Sequence, residues 1–370
     1  MKVTVKDKYL NVRVGKPLLS APSYQYIAPG SQIEVDGKLY PGDPYEGNAN
    51  WLKDAANNYY WAGGVSGLPG AVTTVAGKTT YGWFNRLNIA QVWKDYSTQG
   101  SGVKVAVLDS GYSVTNADLK GKITAADTRI VITGPEYSAT SLKINDESKV
   151  RHGTRCASLI GAANTKASVV GIAPGCELLI AKTSVDREFL KKDYLLTALD
   201  WAIGQGAEII SASLEFDLSA QEILSFDQHI RNTIGNKQVL LFAAAGNTSG
   251  ISQRIINYPA NLKTFVSVGA TTESGILSPI TALNDVTTIH APGERVESYG
   301  PGEVITPDDG TSFSTPIVAG VAALAVSYLK TKNGTWNSAD LLTQIYATGD
   351  RIPGEALKKL INPVNLFKSF

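Results

Sequence analysis

The hydrophobic and polar positions of this chain follow different patterns before and after residue 80. Beyond residue 80, near-continuous apolar runs alternate with segments that have the repeat of an α-helix. Continuous apolar runs are typical of strands that are buried on both faces of a parallel sheet. These runs predict strands at 103–108, 177–181, 208–213, 239–245, 264–270 and 286–289.

Helices are predicted between these strands. The pattern indicates a short helix at 83–93 and longer ones at 152–161, at 194–203 and at 220–231. Such alternation of strands and helices favours an α/β fold, in which helices cover both faces of a mostly parallel sheet. Within it, we interpret His229 as a surface residue of the last helix, and His290, which ends the strand 286–289, as structural.

The first 66 residues have a different organisation. Short alternating segments at 10–14, 32–35, 51–53 and 59–61 are separated by turn-rich pieces, which predicts a small all-β barrel at 1–66. Residues 67–80 have a small, turn-prone composition and are predicted to be a linker to a second domain at 81–370.

The amino-acid composition argues against some classes of binding partner. Charged residues make up 18% of the chain and its net charge is +1, which argues against nucleic acid as a partner. No uninterrupted apolar run approaches the roughly 20 residues that span a bilayer, so we expect no membrane association. The polar start lacks the pattern of a signal peptide. We therefore expect a cytoplasmic protein, or a secreted one if the sequence is a trimmed piece.

The two cysteines, Cys156 and Cys176, lie among small or apolar residues. A chain of 370 residues does not need a disulfide for stability, so we predict two buried free thiols. With only three histidines and two cysteines, the sequence shows no ligand cluster with zinc-site spacing. We therefore predict no metal site.

One stretch contains a candidate nucleophile. Residues 310–320 pass from small polar residues into an apolar helical pattern, which places Ser312 in the first turn of a buried helix. A helix N-terminus favours developing negative charge and leaves backbone N–H groups free. Pro316 is expected in the same first turn. The alternative is that Gly310, Thr311 and Ser312 simply cap a core helix.

Two further polar residues lie at positions that suit an active site. Asp109 ends the predicted strand 103–108, and the carboxyl ends of such strands are where open α/β sheets bind ligands. Taken alone, Asp109 is equally well explained as a turn residue. His152 opens the predicted helix 152–161 and is the one histidine in such a context.

Four motifs occur along the chain in this order: Asp109-Ser110-Gly111, His152-Gly153-Thr154, Ala244-Ala245-Gly246-Asn247 and Gly310-Thr311-Ser312. Together they resemble the motifs of the subtilisin-like serine proteases, in that family's order. The resemblance covers 81–370 and implies the family's three-layer fold and serine endopeptidase activity on polypeptides. The cysteine that follows the histidine motif is similar to the proteinase K and kexin branches. Calcium sites are common in the family, but no acidic loop allows one to be assigned here, so no cofactor is predicted.

The resemblance implies a role for each motif. Ser312 would attack the peptide carbonyl and His152 would take its proton. Asp109 would orient the imidazole, and Asn247 would donate a hydrogen bond to the oxyanion.

It also implies two segments that bind an extended substrate. The second departs from the family pattern, because Glu215 and Phe216 replace two glycines and would narrow the pocket or make it acidic. Glu215, Asp186 and Asp217 would then favour a basic substrate residue. The alternative is that these carboxylates are solvated. The predicted substrate-binding residues are Ser184, Val185, Asp186, Ser213, Leu214, Glu215 and Asn257.

Residues 1–66 resemble a bacterial SH3-like domain, through Leu10-Asn11-Val12-Arg13, the segment 29–35, Trp51-Leu52-Lys53 and Tyr60-Trp61-Ala62. This resemblance implies a peptide or cell-wall ligand, or a regulatory role. The alternative is that the aromatic residues only fill a small core. Two rival functions also stay open: a binding module to which the protease is secondary, and a scaffold without activity.

Overall fold

The computed structural model describes residues 2–6, 8–38, 40–45, 48–66, 73–75, 78–127, 144–163, 170–184, 192–248, 256–282 and 284–370. The chain divides into two compact units, Met1–Val72 and Thr73–Phe370.

The first unit is all β and its sheets are antiparallel. One sheet has three strands in the order β4-β1-β8 and the other has five in the order β3-β2-β7-β6-β5. Inward-facing residues such as Val12, Leu52 and Tyr60 form a small core of their own. The all-β prediction is confirmed, whereas the likeness to an SH3-like domain stays a prediction. The strands are β1 (Lys2–Val5), β2 (Leu10–Val14), β3 (Ser23–Ile27), β4 (Gln32–Glu34), β5 (Tyr40–Tyr45), β6 (Asn48–Lys53), β7 (Asn58–Trp61) and β8 (Val65–Ser66).

The predicted linker 67–80 lies partly outside the described residues. Its described part contains two short antiparallel strands, β9 (Thr73–Val75) and β10 (Lys78–Thr80). The linker assignment stays a prediction.

The single helix predicted at 83–93 is two helices, α1 (Gly82–Arg86) and α2 (Ile89–Tyr96). They are separated because Asn88 adopts a left-handed backbone conformation, with φ of 51°. Asparagine tolerates that conformation better than most residues, and it cannot continue a right-handed helix.

A nine-stranded sheet organises the second unit. Its strand order is β12-β13-β11-β14-β15-β16-β17-β21-β20, and the pairs from β12 to β21 are parallel. The mostly parallel α/β fold is therefore confirmed. The strands of this sheet are β11 (Lys104–Asp109), β12 (Ile123–Asp127), β13 (Glu177–Lys182), β14 (Ile209–Ala212), β15 (Leu240–Ala244), β16 (Val266–Thr271), β17 (Ile289–Pro292), β20 (Asp350–Arg351) and β21 (Lys359–Leu360). A separate antiparallel pair is formed by β18 (Val296–Tyr299) and β19 (Ile305–Asp308).

Helices cover both faces of this sheet. In β11, Val105 and Val107 join one core, while Ala106 and Leu108 join the other, because successive strand residues point to opposite faces. The helices are α3 (Ala117–Lys120), α4 (His152–Gly161), α5 (Lys192–Gly204), α6 (Ala220–Ile234), α7 (Thr311–Asn333), α8 (Ser338–Thr348) and α9 (Pro363–Lys368).

Helix α7 is the longest described helix and lies in the core. It packs against β14 to β17 and against α4. Its length and apolar composition would allow it to cross a membrane, but 89% of its apolar window is buried inside the protein. We therefore interpret α7 as the core helix of the second unit.

The strand predicted at 286–289 was misplaced, since β17 begins at Ile289. The preceding residues form a turn in which the Asn284 side chain accepts hydrogen bonds from the N–H and hydroxyl groups of Thr287. His290 consequently lies inside the strand and is fully buried. Burial, with a smaller effect from Lys358, lowers the pKa of His290 to about 4, so its imidazole is neutral near pH 7.

Candidate active site

A buried hydrogen bond joins the end of β11 to the start of α4. The Nδ1 atom of His152 lies 2.8 Å from Oδ1 and 3.0 Å from Oδ2 of Asp109. Asp109 is the last residue of β11 and His152 is the first residue of α4. The pairing fixes the imidazole with Nδ1 toward the carboxylate, so Nε2 remains the atom that can exchange a proton with another group.

Two glycines allow this close approach. Gly111 has φ of 100°, and a Cβ atom there would lie 2.2 Å from the carbonyl oxygen of Ile144. A Cβ atom on Gly153 would lie 2.2 Å from the carbonyl oxygen of Gly111. The glycines that follow Asp109 and His152 in the sequence are therefore required by packing between the strand end and the helix start.

Opposing effects act on the pKa of His152. Burial alone would lower it, because an imidazolium loses hydration in the protein interior. The charge and hydrogen bond of the Asp109 carboxylate, together with a smaller effect of Cys156, outweigh burial and raise the pKa of His152 well above 6.5. The pair therefore makes His152 a stronger base than a histidine in water.

Ser312 is the second residue of α7 and is buried. The prediction that Pro316 lies in the first turn was wrong, because α7 begins at Thr311 and Pro316 lies one turn further inside. Proline has no N–H, so the bond that residue 316 would normally donate to the carbonyl of Ser312 is missing. Ser213 replaces it, since its hydroxyl donates to that carbonyl oxygen at 2.7 Å.

Cys156 lies between the two helix ends. Its Sγ atom is 3.5 Å from the carbonyl oxygen of Ser312 and 4.0 Å from Nδ1 of His152. Burial, followed by the charge of Asp109, raises the pKa of Cys156 to about 11, so the thiol is protonated near pH 7. A protonated thiol is a poor nucleophile, and we assign it a packing role. Cys156 and Cys176 are both free and buried, as predicted.

The orientation of the Asn247 amide is set by Thr311. The oxygen of Asn247 accepts from the backbone N–H of Thr311 at 2.9 Å and from its hydroxyl at 3.2 Å. An amide whose oxygen is engaged in this way presents its NH₂ group elsewhere. Asn247 therefore offers two donor hydrogens beside the N-terminus of α7, one residue away from Ser312.

Comparison with known proteins decides the family. The model of the subtilase family matches residues 100–356. The chain belongs to the subtilase family. It is 31% identical to M-protease of Shouchella clausii over 75% of this chain and 66% of that protein. It is 32% identical to subtilisin Savinase of Lederbergia lenta over 67% of this chain and 84% of that protein.

The chain also resembles a solved structure of a protease. The prenylagaramide maturation protease PagA aligns with a TM-score of 0.60 and 27% identity, over 76% of this chain and 97% of that chain. The chain spans slightly less than two thirds of M-protease, at 66%, and 61% of subtilisin NAT of Bacillus subtilis subsp. natto.

The predicted substrate-binding residues of this subtilase are divided among several places. Ser184 follows β13, next to the strand that ends at Asp109, while Val185 and Asp186 lie outside the described residues. Ser213 contacts Ser312 as described above. Leu214 is half-buried and packs against the core that lies under α5 and α6.

Glu215 and Phe216 have different surroundings. The Glu215 carboxylate accepts a hydrogen bond from the Asn257 amide at 3.1 Å, and the same amide lies 3.3 Å from the carbonyl oxygen of Ala245. The Phe216 ring lies 6.2 Å from the ring of Phe226 in α6, and its backbone pairs with Tyr258. The Phe216 ring packs against the core under α5 and α6, and the expectation that Glu215 and Phe216 narrow the pocket or make it acidic stays a prediction.

Asp146 was not among the residues predicted from the sequence, and it is fully buried. Its Oδ1 accepts from the Ser110 hydroxyl at 2.9 Å and from the Ser148 hydroxyl at 2.7 Å. Its Oδ2 accepts from the N–H of Thr154 at 2.8 Å and from the Thr154 hydroxyl at 2.7 Å. Asp146 thus connects the residue after Asp109 with the first turn of α4.

The two serines extend this connection to the helix terminus. Ser148 accepts from the N–H of His152 and Ser110 accepts from the N–H of Gly153, each at 2.9 Å. The N–H groups of His152, Gly153 and Thr154, the first three residues of α4, therefore donate to Ser148, Ser110 and Asp146, respectively. Arg151, the residue that precedes the helix, makes no such side-chain bond. Asp146 is a positioning residue for His152.

We predict that Asp146→Asn slows the labelling of Ser312 by a fluorophosphonate by about 10²-fold, since displacement of a reacting group by about 1 Å has that effect. The asparagine keeps the volume of aspartate but replaces an accepting oxygen with an NH₂ group. A weaker contact with Asp109 would lower the pKa of His152, so the acid limb of the rate profile should move to lower pH.

The matched control is Asp200→Asn, because the Asp200 carboxylate contacts another histidine, His229, at 2.9 Å. That variant should keep the parental rate and pH profile. An Asp146→Asn chain that labels at the parental rate with an unchanged profile would contradict the positioning role.

Proposed function

We propose that this subtilase is a serine endopeptidase with Ser312 as nucleophile, His152 as general base and Asp109 as the group that orients His152. The observation that carries the proposal is the buried Asp109–His152 pair, at 2.8 Å, beside the N-terminus of α7. Membership of the family supports it, since M-protease, subtilisin Savinase and PagA are all named as proteases or subtilisins.

The proposed reaction begins with proton transfer. Nε2 of His152 takes the hydroxyl proton of Ser312 as its oxygen attacks the carbonyl carbon of a peptide bond. The resulting imidazolium is stabilised by the neighbouring Asp109 carboxylate, in agreement with the raised pKa of His152. His152 then gives the proton to the departing amine, which leaves an acyl-enzyme that water hydrolyses.

The tetrahedral intermediate carries a negative oxygen that needs donors. Asn247 supplies its NH₂ group, and Ser312 supplies the N–H of the second residue of α7, which has no partner within the helix. Both donors are fixed before substrate binds, because Thr311 holds the Asn247 amide. No step of this mechanism requires a metal ion, and the expectation of no assignable calcium site stays a prediction.

We also propose that Glu215 favours a basic residue immediately before the cleaved bond. The segment that carries it begins at Ser213, which contacts Ser312, and its Asn257 partner reaches Ala245, two residues before Asn247. A Cβ atom on Gly246, the residue before Asn247, would lie 2.8 Å from the Glu215 carboxylate, so this carboxylate is close to the proposed oxyanion donor. A guanidinium bound there would form a charge-assisted hydrogen bond as substrate displaces water.

The nucleophile is tested by comparing the parental chain with Ser312→Ala. We expect the parental chain to cleave a peptide library and to react with a fluorophosphonate. The variant should lose cleavage by a factor on the order of 10⁶, as measured when the serine of subtilisin is removed. The control is Ser327→Ala, which removes another buried serine of α7. Absence of labelling in a folded parental chain would favour an inactive scaffold.

The role of Glu215 is tested with two fluorogenic peptides that differ only in arginine or citrulline before the cleaved bond. Citrulline keeps the shape of arginine and removes its charge. Glu215→Gln should lower the arginine-to-citrulline ratio of kcat/KM by roughly three- to tenfold.

Glu177→Gln is the matched control, because Glu177 begins β13 at the opposite end of the strand from the site. It should leave the ratio unchanged. An equal effect of the two substitutions would show a general charge effect and would contradict a specific pocket.

A further inference from the structure

The antiparallel hairpin of β18 and β19 leads directly into α7, the helix of the proposed nucleophile. Only Asp309 and Gly310 separate β19 from α7. The N–H of Gly310 donates to the carbonyl of Gly293 at 2.8 Å, and the N–H of Arg295 donates to the Asp309 carboxylate at 2.6 Å. These two bonds close the base of the hairpin beside the start of α7. The position of the hairpin therefore influences where α7 begins.

Arg155 holds this hairpin against α4, the helix that begins with His152. Its Nη1 atom donates to the Ser298 hydroxyl at 3.1 Å and to the Thr306 carbonyl at 2.9 Å, and its Nη2 atom donates to the Thr306 hydroxyl at 2.6 Å. Ser298 in β18 is paired with Thr306 in β19. One guanidinium therefore bonds to both strands of the hairpin at the same position along them.

The same side chain is also fixed on the α4 side. Its Nε atom donates to the carbonyl of Val150, just before the helix, at 2.9 Å, and lies 3.8 Å from the Asp308 carboxylate. Arg155 is only 4% exposed. Because a buried cation is costly unless its donors are paired, these bonds restrict the guanidinium to one place between the helix and the hairpin.

The backbone of the hairpin is shaped to admit the guanidinium. A Cβ atom on Gly300 would lie 2.6 Å from Nη2 of Arg155 and 2.7 Å from the Thr306 hydroxyl oxygen. A larger residue at position 300 would therefore displace either the guanidinium or its acceptor.

The tip of the hairpin is bonded to the loop that follows Asp109. The Glu303 carboxylate accepts from the Ser113 hydroxyl at 3.0 Å and from the Thr115 hydroxyl at 2.6 Å. The hairpin is thus connected to the segments that carry all three residues of the proposed triad. The bonds at the tip are exposed, whereas those of Arg155 are buried or half-buried, so water competes less with the bonds of Arg155.

We propose that Arg155 is a positioning residue that sets the place of Ser312 relative to His152 by holding the hairpin against α4. It acts on the nucleophile, whereas Asp146 acts on the base. This inference rests on the proposed function, because it assigns a further role within the same site. The planar guanidinium directs several donors at once, which the single ammonium of lysine cannot reproduce.

The test compares the parental chain with Arg155→Lys, which keeps the charge and loses the planar set of donors. Labelling of Ser312 by a fluorophosphonate should slow by roughly 10- to 100-fold, since a displacement of about 1 Å between reacting groups costs about 10²-fold. With a peptide substrate, kcat should fall while KM stays near the parental value. The acid limb of the rate profile should not move, because burial, Asp109 and Cys156 set the pKa of His152.

Two further variants complete the experiment. Leu341→Ala removes buried side-chain atoms of α8, so it should lower the melting temperature and still label at the parental rate. Ser298→Ala with Thr306→Val removes the two hydroxyl partners of Arg155 and should slow labelling in the same way as Arg155→Lys. If Arg155→Lys does not fold, this double variant decides the question.

The possible failures are distinguishable. Labelling of Arg155→Lys and of the double variant at the parental rate would contradict the role of Arg155 and leave the peptidase proposal intact. The same holds if Leu341→Ala slows labelling equally, or if the acid limb moves as it should in Asp146→Asn. A folded parental chain that does not label would contradict the proposed function, and the role of Arg155 with it.

Discussion

The burial of α7 under the central sheet is the constraint on which the rest of the second unit depends. Fourteen consecutive residues from Phe313 to Val326 are buried. Each large apolar side chain buried in this way stabilises the fold by about 1.5–3 kcal/mol. This burial fixes the position of the helix. That position places Ser312 at the edge of the sheet where the parallel strands have their carboxyl ends.

Three polar side chains at the buried end of α7, those of Thr311, Ser314 and Thr315, have partners that suit this position. Ser314 donates to the carbonyl groups of Ala291 and Pro292, and the Thr315 hydroxyl donates to the carbonyl of Thr311. Buried polar groups are costly when unpaired, so these bonds fix the first turns of the helix in rotation as well as in position. The same rotation directs the Ser312 carbonyl to Ser213.

A residue of the site could be predicted from the sequence when the features that place it lie close to it along the chain. Asp109, His152, Asn247 and Ser312 follow recognisable strand ends or helix starts, so short motifs indicated them. Asp146 bonds to Ser110 after β11, to Ser148 in its own loop and to Thr154 in α4. Only Ser148, two residues further along the chain, is close enough in the sequence to hint at this role.

Other features followed from tertiary packing that no local pattern encodes. The missing N–H of Pro316 affects the site only because Ser213 lies close enough in space to donate to the Ser312 carbonyl instead. Phe216 packs against the core because α6 places Phe226 beside it, and its position in the sequence gave no sign of that contact. In contrast, the α/β alternation and the strand β11 were predictable because two-sided burial leaves a continuous apolar run.

The central claim is that Asp109 raises the proton affinity of His152, and an NMR titration tests it directly. The chain has only three histidines, and His290 is set apart by a pKa lowered to about 4. In the Ser312→Ala chain, we predict that His152 titrates well above 6.5 and that Asp109→Asn lowers its pKa. A His152 that titrates at an ordinary value of about 6.5 in both proteins would contradict the account.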